Sequence, residues 1–156
     1  MEWKNLMETL EAYALALEEE YRGQVLDSSY ASGRLFDSVR SIISIDGEYI
    51  EVSLNLEDYW KYVEDGRSPG RFPPVDKIRE WIRVKPIVPF PDSRGRVPSP
   101  DQLAFLIGRK IAEEGIEGKH LLENSMENTR DWMALIDEAI EMDVREEIDE
   151  ILSLIL

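Results

Sequence analysis

The sequence has no cysteine, and among its 156 residues it has a single histidine, His120. The absence of cysteine excludes disulfides, thiolate metal ligands and cysteine nucleophiles. One histidine, next to Lys119 and without a second imidazole, offers too few ligands for a structural metal site, so we expect it at the surface or hydrogen-bonded in the core. We therefore predict that the chain uses no cofactor and no metal.

Long apolar runs are also missing. No stretch approaches the roughly 18 consecutive apolar residues that a membrane span needs. The first residues, MEWKNLMETL, carry an acid from Glu2 onward and do not form the apolar core of a signal peptide. The sequence thus predicts a protein without a membrane partner.

The common motifs of enzymes do not occur. The glycines of EDGRSPGRF lack the Gly-Lys-Ser/Thr of a Walker loop and the strand and spaced glycines of a dinucleotide fingerprint. There is no G-x-S-x-G, H-E-x-x-H or EF-hand pattern. The acidic run Glu18-Glu19-Glu20 places neighbouring carboxylates on different sides of a helix, which is not an acid/base pair. We predict that the protein is not an enzyme.

Basic residues are scarce, and they are unevenly placed. The chain has 18 basic and 33 acidic residues and a net charge of −15, which argues against binding nucleic acid through its phosphates. Residues 1–60 carry −9, residues 61–110 carry +5 and residues 111–156 carry −11. Segments of opposite sign can associate head to tail with copies of the chain or with charged neighbours. Ordinary solvated faces are the alternative explanation.

The order of the predicted elements is typical of an α+β fold in one domain. Apolar residues at spacings of three and four predict an N-terminal helix within residues 1–28. An Asp46-Gly47 turn between two β-rich runs predicts a hairpin, which gives a small antiparallel sheet packed against several helices. The remaining predicted parts are a short helix that starts at Ser29 or Ser32, an α+β core over residues 29–122, a proline-rich loop over residues 84–100, and a long, acidic, helical C-terminal segment over residues 123–156.

The C-terminal segment repeats apolar residues at helical spacing among dense acids, with a break near Asn128 or Asp143. Its last six residues, ILSLIL, are almost wholly apolar. They are expected to be buried against this chain or against a partner.

The stretch YWKYVEDGRSPGRFPP is the candidate binding feature, because it combines rigid backbone with arginine and phenylalanine in the only basic segment. Prolines reduce the entropy that the loop loses on ordering, and glycines allow positive φ. The same residues also fit a proline-stiffened connector that caps two helices. The predicted interface residues are Glu64, Gly66, Arg67, Pro69, Gly70, Arg71, Phe72, Pro73 and Pro74.

Several blocks follow one another in a specific order: SSYASGRLFDSV, a strand pair, YWKYVEDGRSPGRFPPVDKIREWI and AFLIGRKIAEEGIEGKHLL. They resemble the tail-completion, or head–tail joining, proteins of tailed bacteriophages. That family has a G-x-L-x-x-S helix end, a sheet, a Y-x-x-x-V-E-x-G-x-x-P-G-x-x-P-P loop, an I-x-x-W helix and an A-F-x-I-x-x-K-I-x-x-x-G helix. The matching residues are Gly33, Leu35, Ser38, Tyr59, Val63, Glu64, Gly66, Pro69, Gly70, Pro73, Pro74, Ile78, Trp81, Ala104, Phe105, Ile107, Lys110, Ile111 and Gly115.

The resemblance covers residues 29 to about 122, and it departs from the family after Gly115, where GKHLL replaces a common K-P-F. It implies a non-enzymatic structural protein of the virion, assembled in the host cytoplasm. Such a protein forms a homo-oligomeric ring at the head–tail junction and contacts portal, neck or tail proteins. DNA would pass nearby without specific binding.

Two other classes of protein remain open at this point. One is an acidic, monomeric binding module, such as an inhibitor or a DNA mimic, whose carboxylate-rich helices imitate phosphate spacing. The other is an enzyme that uses a carboxylate site without a known motif.

Overall fold

A computed structural model describes residues 3–28, 33–85 and 87–155. The helices are α1 Lys4–Ser28, α2 Arg34–Ser38, α3 Trp60–Asp65, α4 Val75–Val84, α5 Pro100–Glu114, α6 Leu121–Asn128 and α7 Trp132–Ile155. The strands are β1 Arg40–Asp46, β2 Tyr49–Asn55, β3 Gly66–Arg67 and β4 Ile116–Glu117. The predicted α+β class is confirmed, with a small antiparallel hairpin among helices and a long C-terminal helix.

Helix α1 is the centre of the fold because most of one side of it is buried. Its buried apolar residues recur at helical spacing, and they pack against α7, α6 and the hairpin. Tyr21 and Val25 near its C-terminal end join Leu35, Val39 and Leu121 in the main apolar cluster. The buried apolar residues of α1 are Leu6, Leu10, Tyr13, Ala14, Leu17, Tyr21 and Val25.

The hairpin is fixed to α1 by polar contacts as well as by apolar packing. The buried carboxylate of Glu18 accepts hydrogen bonds from the Ser41 amide at 2.7 Å and from its hydroxyl at 2.9 Å. Arg22 forms an ion pair with Glu18 at 2.9 Å and donates to the Val39 carbonyl at 2.8 Å. Because a charge buried without a partner is costly, these contacts fix where the start of β1 packs against α1.

The hairpin itself was predicted, and its turn lies one residue later than expected. Asp46 pairs with Tyr49 at the end of the ladder, so the connection is Gly47-Glu48 and not Asp46-Gly47. The pairing of Ile43 with Val52 puts both partly buried side chains on one face of the sheet, as the alternation predicts.

Helix α4 begins at Val75, with Pro74 as its N-cap residue. Two smaller expectations need correction or completion. The break in the C-terminal segment lies between α6 and α7, just after Asn128, whereas Asp143 is inside α7. Helix α2 is described from Arg34, so the starts predicted at Ser29 or Ser32 lie outside the described residues.

Asp143 instead joins α7 to the first turn of α1. Its carboxylate accepts hydrogen bonds from the backbone amides of Asn5 and Leu6, both at 2.9 Å, and from the Asn5 side chain at 2.8 Å. These amides belong to the first turn of α1, which has no partners for them within the helix. The Tyr13 and Trp132 rings also meet, 6.2 Å apart, so α7 runs antiparallel to α1.

Candidate functional site

The loop singled out in the sequence is held by a crossing of two backbone segments, residues 63–70 and 112–120. Their two short strands pair antiparallel, with Gly66 opposite Glu117 and Arg67 opposite Ile116. Further amides cross between the segments: Lys119 donates to the Val63 carbonyl at 2.8 Å, His120 to the Glu64 carbonyl at 3.2 Å and Gly70 to the Ala112 carbonyl at 2.8 Å. The loop is therefore rigid through tertiary hydrogen bonds, beyond the effect of its prolines.

Three glycines make this crossing possible. A Cβ at Gly66 would lie 2.1 Å from the Ile116 carbonyl oxygen, one at Gly115 would lie 2.3 Å from the Arg67 carbonyl oxygen, and one at Gly118 would lie 2.3 Å from the Glu64 carbonyl oxygen. Gly66 and Gly115 also have φ of 73° and 78° with ψ of −150° and −163°. Only glycine adopts that backbone conformation readily.

Glu64 serves the fold in this structure. Its carboxylate accepts hydrogen bonds from the amides of Leu122 at 2.8 Å and Glu123 at 3.1 Å. These amides open α6, whose own N-cap residue, His120, supplies no side-chain cap. A carboxylate at the positive end of the helix dipole stabilises the helix, so Glu64 ties α3 to α6.

The two arginines of the loop have different environments. The Arg67 guanidinium donates to the Arg71 carbonyl at 2.5 Å, which closes the turn around Pro69 and Gly70. Pro69 lies against Gly115, with its Cδ 3.0 Å from the position of a Cβ there. The Arg71 side chain is exposed and makes no hydrogen bond or ion pair with the described residues. Arg71 is thus the better placed of the two for a partner.

Phe72 and the two prolines after it attach the loop to the helices. The centroids of the Phe72 and Phe105 rings lie 5.5 Å apart, with the rings tilted by 31°. The Phe72 ring also passes over Gly108 of α5, which has no side chain to block it. Pro73 is buried, and Pro74 is the N-cap residue of α4. Phe72 therefore anchors the loop to α5 while keeping part of its edge exposed.

Beside the loop lies an open groove of about 640 Å³. Its walls are mainly apolar side chains of α3, α4, α5 and β4: Tyr62, Val63, Ile78, Trp81, Ile107, Ile111 and Ile116. Arg67, Lys77, Lys85 and Lys119 also line it, together with the single acid Glu117. The combination of an apolar floor and basic edges suits an acidic amphipathic partner.

The proline-rich loop presents a second apolar surface. No helix or strand occurs in its described residues, 85 and 87–99. Asp92 closes a turn with Arg96, and backbone hydrogen bonds from Arg96 and Arg94 lower the pKa of its carboxyl. Phe90 is 92% exposed and Val88 is 85% exposed in the segment just before this turn. Apolar side chains held this far into solvent are typical of a contact surface.

The end of α7 is a third such surface. The residues from Ile148 to Ile155 are all exposed, with Leu154 at 81% and Ile155 at 72%. The apolar C-terminus was expected to be buried against this chain or a partner, and within the described residues this chain does not cover it.

The described residues bring no three His, Asp or Glu side chains together in a way that could hold a metal ion. None of the helices in residues 3–28, 33–85 and 87–155 combines the length and apolar character needed to cross a bilayer.

Comparison with models of protein families gave no match, and neither did searches of curated proteins and of solved structures. The family assignment thus remains a prediction that rests on the residue blocks quoted above. The structure brings two of those blocks, residues 59–82 and 104–122, into one hydrogen-bonded unit.

Sequence reasoning missed the basic-edged groove and the β3–β4 pairing. The available signal was a glycine directly after α3 and another directly after α5: Gly66 begins β3, and Gly115 immediately precedes β4. Helix ends that carry glycine are common, so this signal alone does not pair the two sites.

Proposed function

We propose that this chain is a non-enzymatic structural protein of a tailed-phage virion, which forms part of a ring at the head–tail junction. The observation that carries the assembly role is the exposed apolar surface at separate places on the fold, namely the groove, the proline-rich loop and the end of α7. Apolar surface of this extent is typical of proteins that are covered by neighbours. The place in the virion rests on the resemblance.

The rigid crossing around Gly66 supports the proposal that the loop contacts a neighbouring subunit or another virion protein. A loop that is ordered before binding loses little entropy on docking. Its hydrogen bonds also hold the exposed Arg71 at a constant position relative to the groove. The acidic remainder of the surface would repel passing DNA, which fits proximity to the genome without binding it.

The direct test is complementation of a phage whose copy of this gene is interrupted. The double variant Arg67→Glu, Arg71→Glu is expected to fold and to be absent from particles, which then lack joined tails in electron micrographs. The matched control is Arg83→Glu with Arg109→Glu, which changes the same charge at exposed positions outside the candidate loop, the groove and the proline-rich loop. Normal incorporation of the loop variant would refute the docking role of the loop.

The acidic binding module is separated from this proposal by two measurements. The purified wild-type chain is expected to form rings that are visible in negative-stain electron micrographs. A tagged copy is expected to be located at the head–tail junction of purified particles. A homogeneous monomer that is absent from particles and competes with DNA for a basic protein would favour the DNA mimic.

A further inference from the structure

The last twelve described residues of α7, 144–155, extend beyond the body of the protein as an arm. Asp143 meets the first turn of α1 through Asn5 and Leu6, and α7 runs antiparallel to α1 from Trp132 onward. The helix then continues to Ile155. At about 1.5 Å per residue, the arm projects about 18 Å past the start of α1.

The arm is acidic and amphipathic. Val144, Ile148, Ile151 and Ile155 follow at spacings of four, three and four, with Leu152 beside them, so they form one apolar stripe. Between them the arm carries one base and four acids: Arg145, Glu146, Glu147, Asp149 and Glu150. Its composition complements a groove that has an apolar floor, four bases and one acid.

The arm cannot reach the groove of its own chain. Ser28, the last residue of α1, lines the groove, whereas the arm leaves from the opposite end of α1 and points away from it. The 25 residues of α1 separate the two features by about 37 Å. Insertion within one chain would require α7 to detach from α1, with loss of the Asp143 contacts.

We propose that the arm of one subunit docks in the groove of the next copy of this chain. This inference deepens the proposed ring function and rests on it. Arm and groove are different surfaces at opposite ends of α1, so the contact is heterologous, and repetition of it produces a closed ring or an open filament. The apolar stripe lies on Trp81 and Ile107, and the acids that flank it on the helix, Glu147 and Asp149, face Lys77 and Lys85 at the groove edge.

Cysteine cross-linking tests the pairing directly, because the natural chain has no cysteine. Leu152→Cys places a thiol on the arm, and Tyr62→Cys places one on the exposed wall of the groove. Under mild oxidation, a mixture of the two single variants is expected to form mixed dimers. A chain with both substitutions is expected to form a ladder of dimers, trimers and higher species on denaturing gels. Leu15→Cys, exposed on α1, replaces Tyr62→Cys as the control and should form no mixed dimers.

A charge exchange provides an independent readout. Lys77→Glu with Lys85→Glu, or Glu147→Lys with Asp149→Lys, should each raise the concentration for half-association by roughly tenfold, and the four substitutions together should restore association. Controls with equal charge change are Lys61→Glu with Lys110→Glu, and Glu138→Lys with Glu141→Lys. Sedimentation at two salt concentrations measures association, and higher salt should weaken it in the wild type.

Three results would overturn the inference: arm-to-arm dimers of Leu152→Cys in place of mixed dimers, no cross-links at all, or no restoration by the fourfold exchange. Rings at the head–tail junction with any of these results would refute the docking mode and leave the proposed function standing. Arm-to-groove cross-links in a protein that is absent from particles would refute the proposed function and leave the contact standing.

Discussion

Replacement of Gly66 by alanine tests the crossing that holds the candidate interface. The backbone at Gly66 has φ 73° and ψ −150°, a region that strains other residues by about 1–3 kcal/mol. The added Cβ would also lie 2.1 Å from the Ile116 carbonyl oxygen and 2.4 Å from the Gly118 nitrogen. Both atoms are backbone, so the two segments must separate.

Separation costs the hydrogen bonds of the short β3–β4 ladder, at about 0.5–1.5 kcal/mol each for roughly two bonds. Added to the backbone strain, the expected loss in the free energy of unfolding is about 4 kcal/mol for Gly66→Ala. Since the free energy of unfolding of a domain is about 5–15 kcal/mol in total, this loss is severe. Gly115→Ala should behave alike, because its Cβ would lie 2.3 Å from the Arg67 carbonyl oxygen.

Two other glycines supply the controls. Gly70 has φ of 135° and open space around it, so Gly70→Ala should cost only the strain, about 1–2 kcal/mol. Gly23 lies inside α1 with nothing within 4 Å of a Cβ, so Gly23→Ala should raise stability by about 0.5–1 kcal/mol.

The assay is urea unfolding followed by circular dichroism at one protein concentration, because assembly also contributes to apparent stability. With a slope of about 2 kcal/mol per molar urea, Gly66→Ala should lower the midpoint by about 2 M. If Gly66→Ala lost no more stability than Gly70→Ala, the steric account of the crossing would be refuted.

Three further predictions concern single carboxylates and a phenol. Glu64→Ala should lower the free energy of unfolding by about 1 kcal/mol in the same urea assay, because α6 loses its cap, whereas the exposed neighbour change Asp65→Ala should have little effect. Desolvation raises the pKa of Glu18, but hydrogen bonds from Ser41 and the charge of Arg22 outweigh it, so its pKa lies below the ordinary 4.5. A lowered carboxyl pKa contributes stability that is present above pH 4.5 and is lost as the pH falls through the pKa of the folded state. When the free energy of unfolding is measured at decreasing pH, Glu18→Gln should therefore lose stability less steeply than the wild type. An equally steep loss would contradict the lowered pKa of Glu18. Burial raises the pKa of Tyr21 from 10.0 to about 12, so stability should fall as the pH rises from about 10 to 12, and absorbance titration should show one tyrosine ionising late in the wild type and not in Tyr21→Phe.

The elements predicted well were those specified by neighbouring residues. The hairpin follows from two β-rich runs around a turn. Apolar residues at spacings of three and four likewise marked α1 and α7. Each of these signals lies within a few residues of the structure that it predicts.

The features that sequence reasoning missed depend on residues far apart in the chain. Asp143 caps α1 from 137 positions beyond Leu6, and Glu64 caps α6 from 58 positions before Leu122. A lone acid in an acidic helix carries no local mark of such a role. Strands of two residues, such as β3 and β4, are too short for alternation to be visible. The groove exists only where α3, α4 and α5 meet, so no single segment indicates it.

The glycine crossing and the arm act on assembly by different routes, and this difference makes the proposals separable. Gly66→Ala should impair assembly by displacing the groove walls, and it should lower stability in the same experiment. Lys77→Glu with Lys85→Glu changes exposed side chains at the groove edge, so it should impair assembly while the free energy of unfolding of the isolated chain stays nearly constant. A plot of association against stability should therefore place the two kinds of variant on different lines. A single line through both would mean that subunits recognise only the intact fold, without a specific arm-and-groove contact.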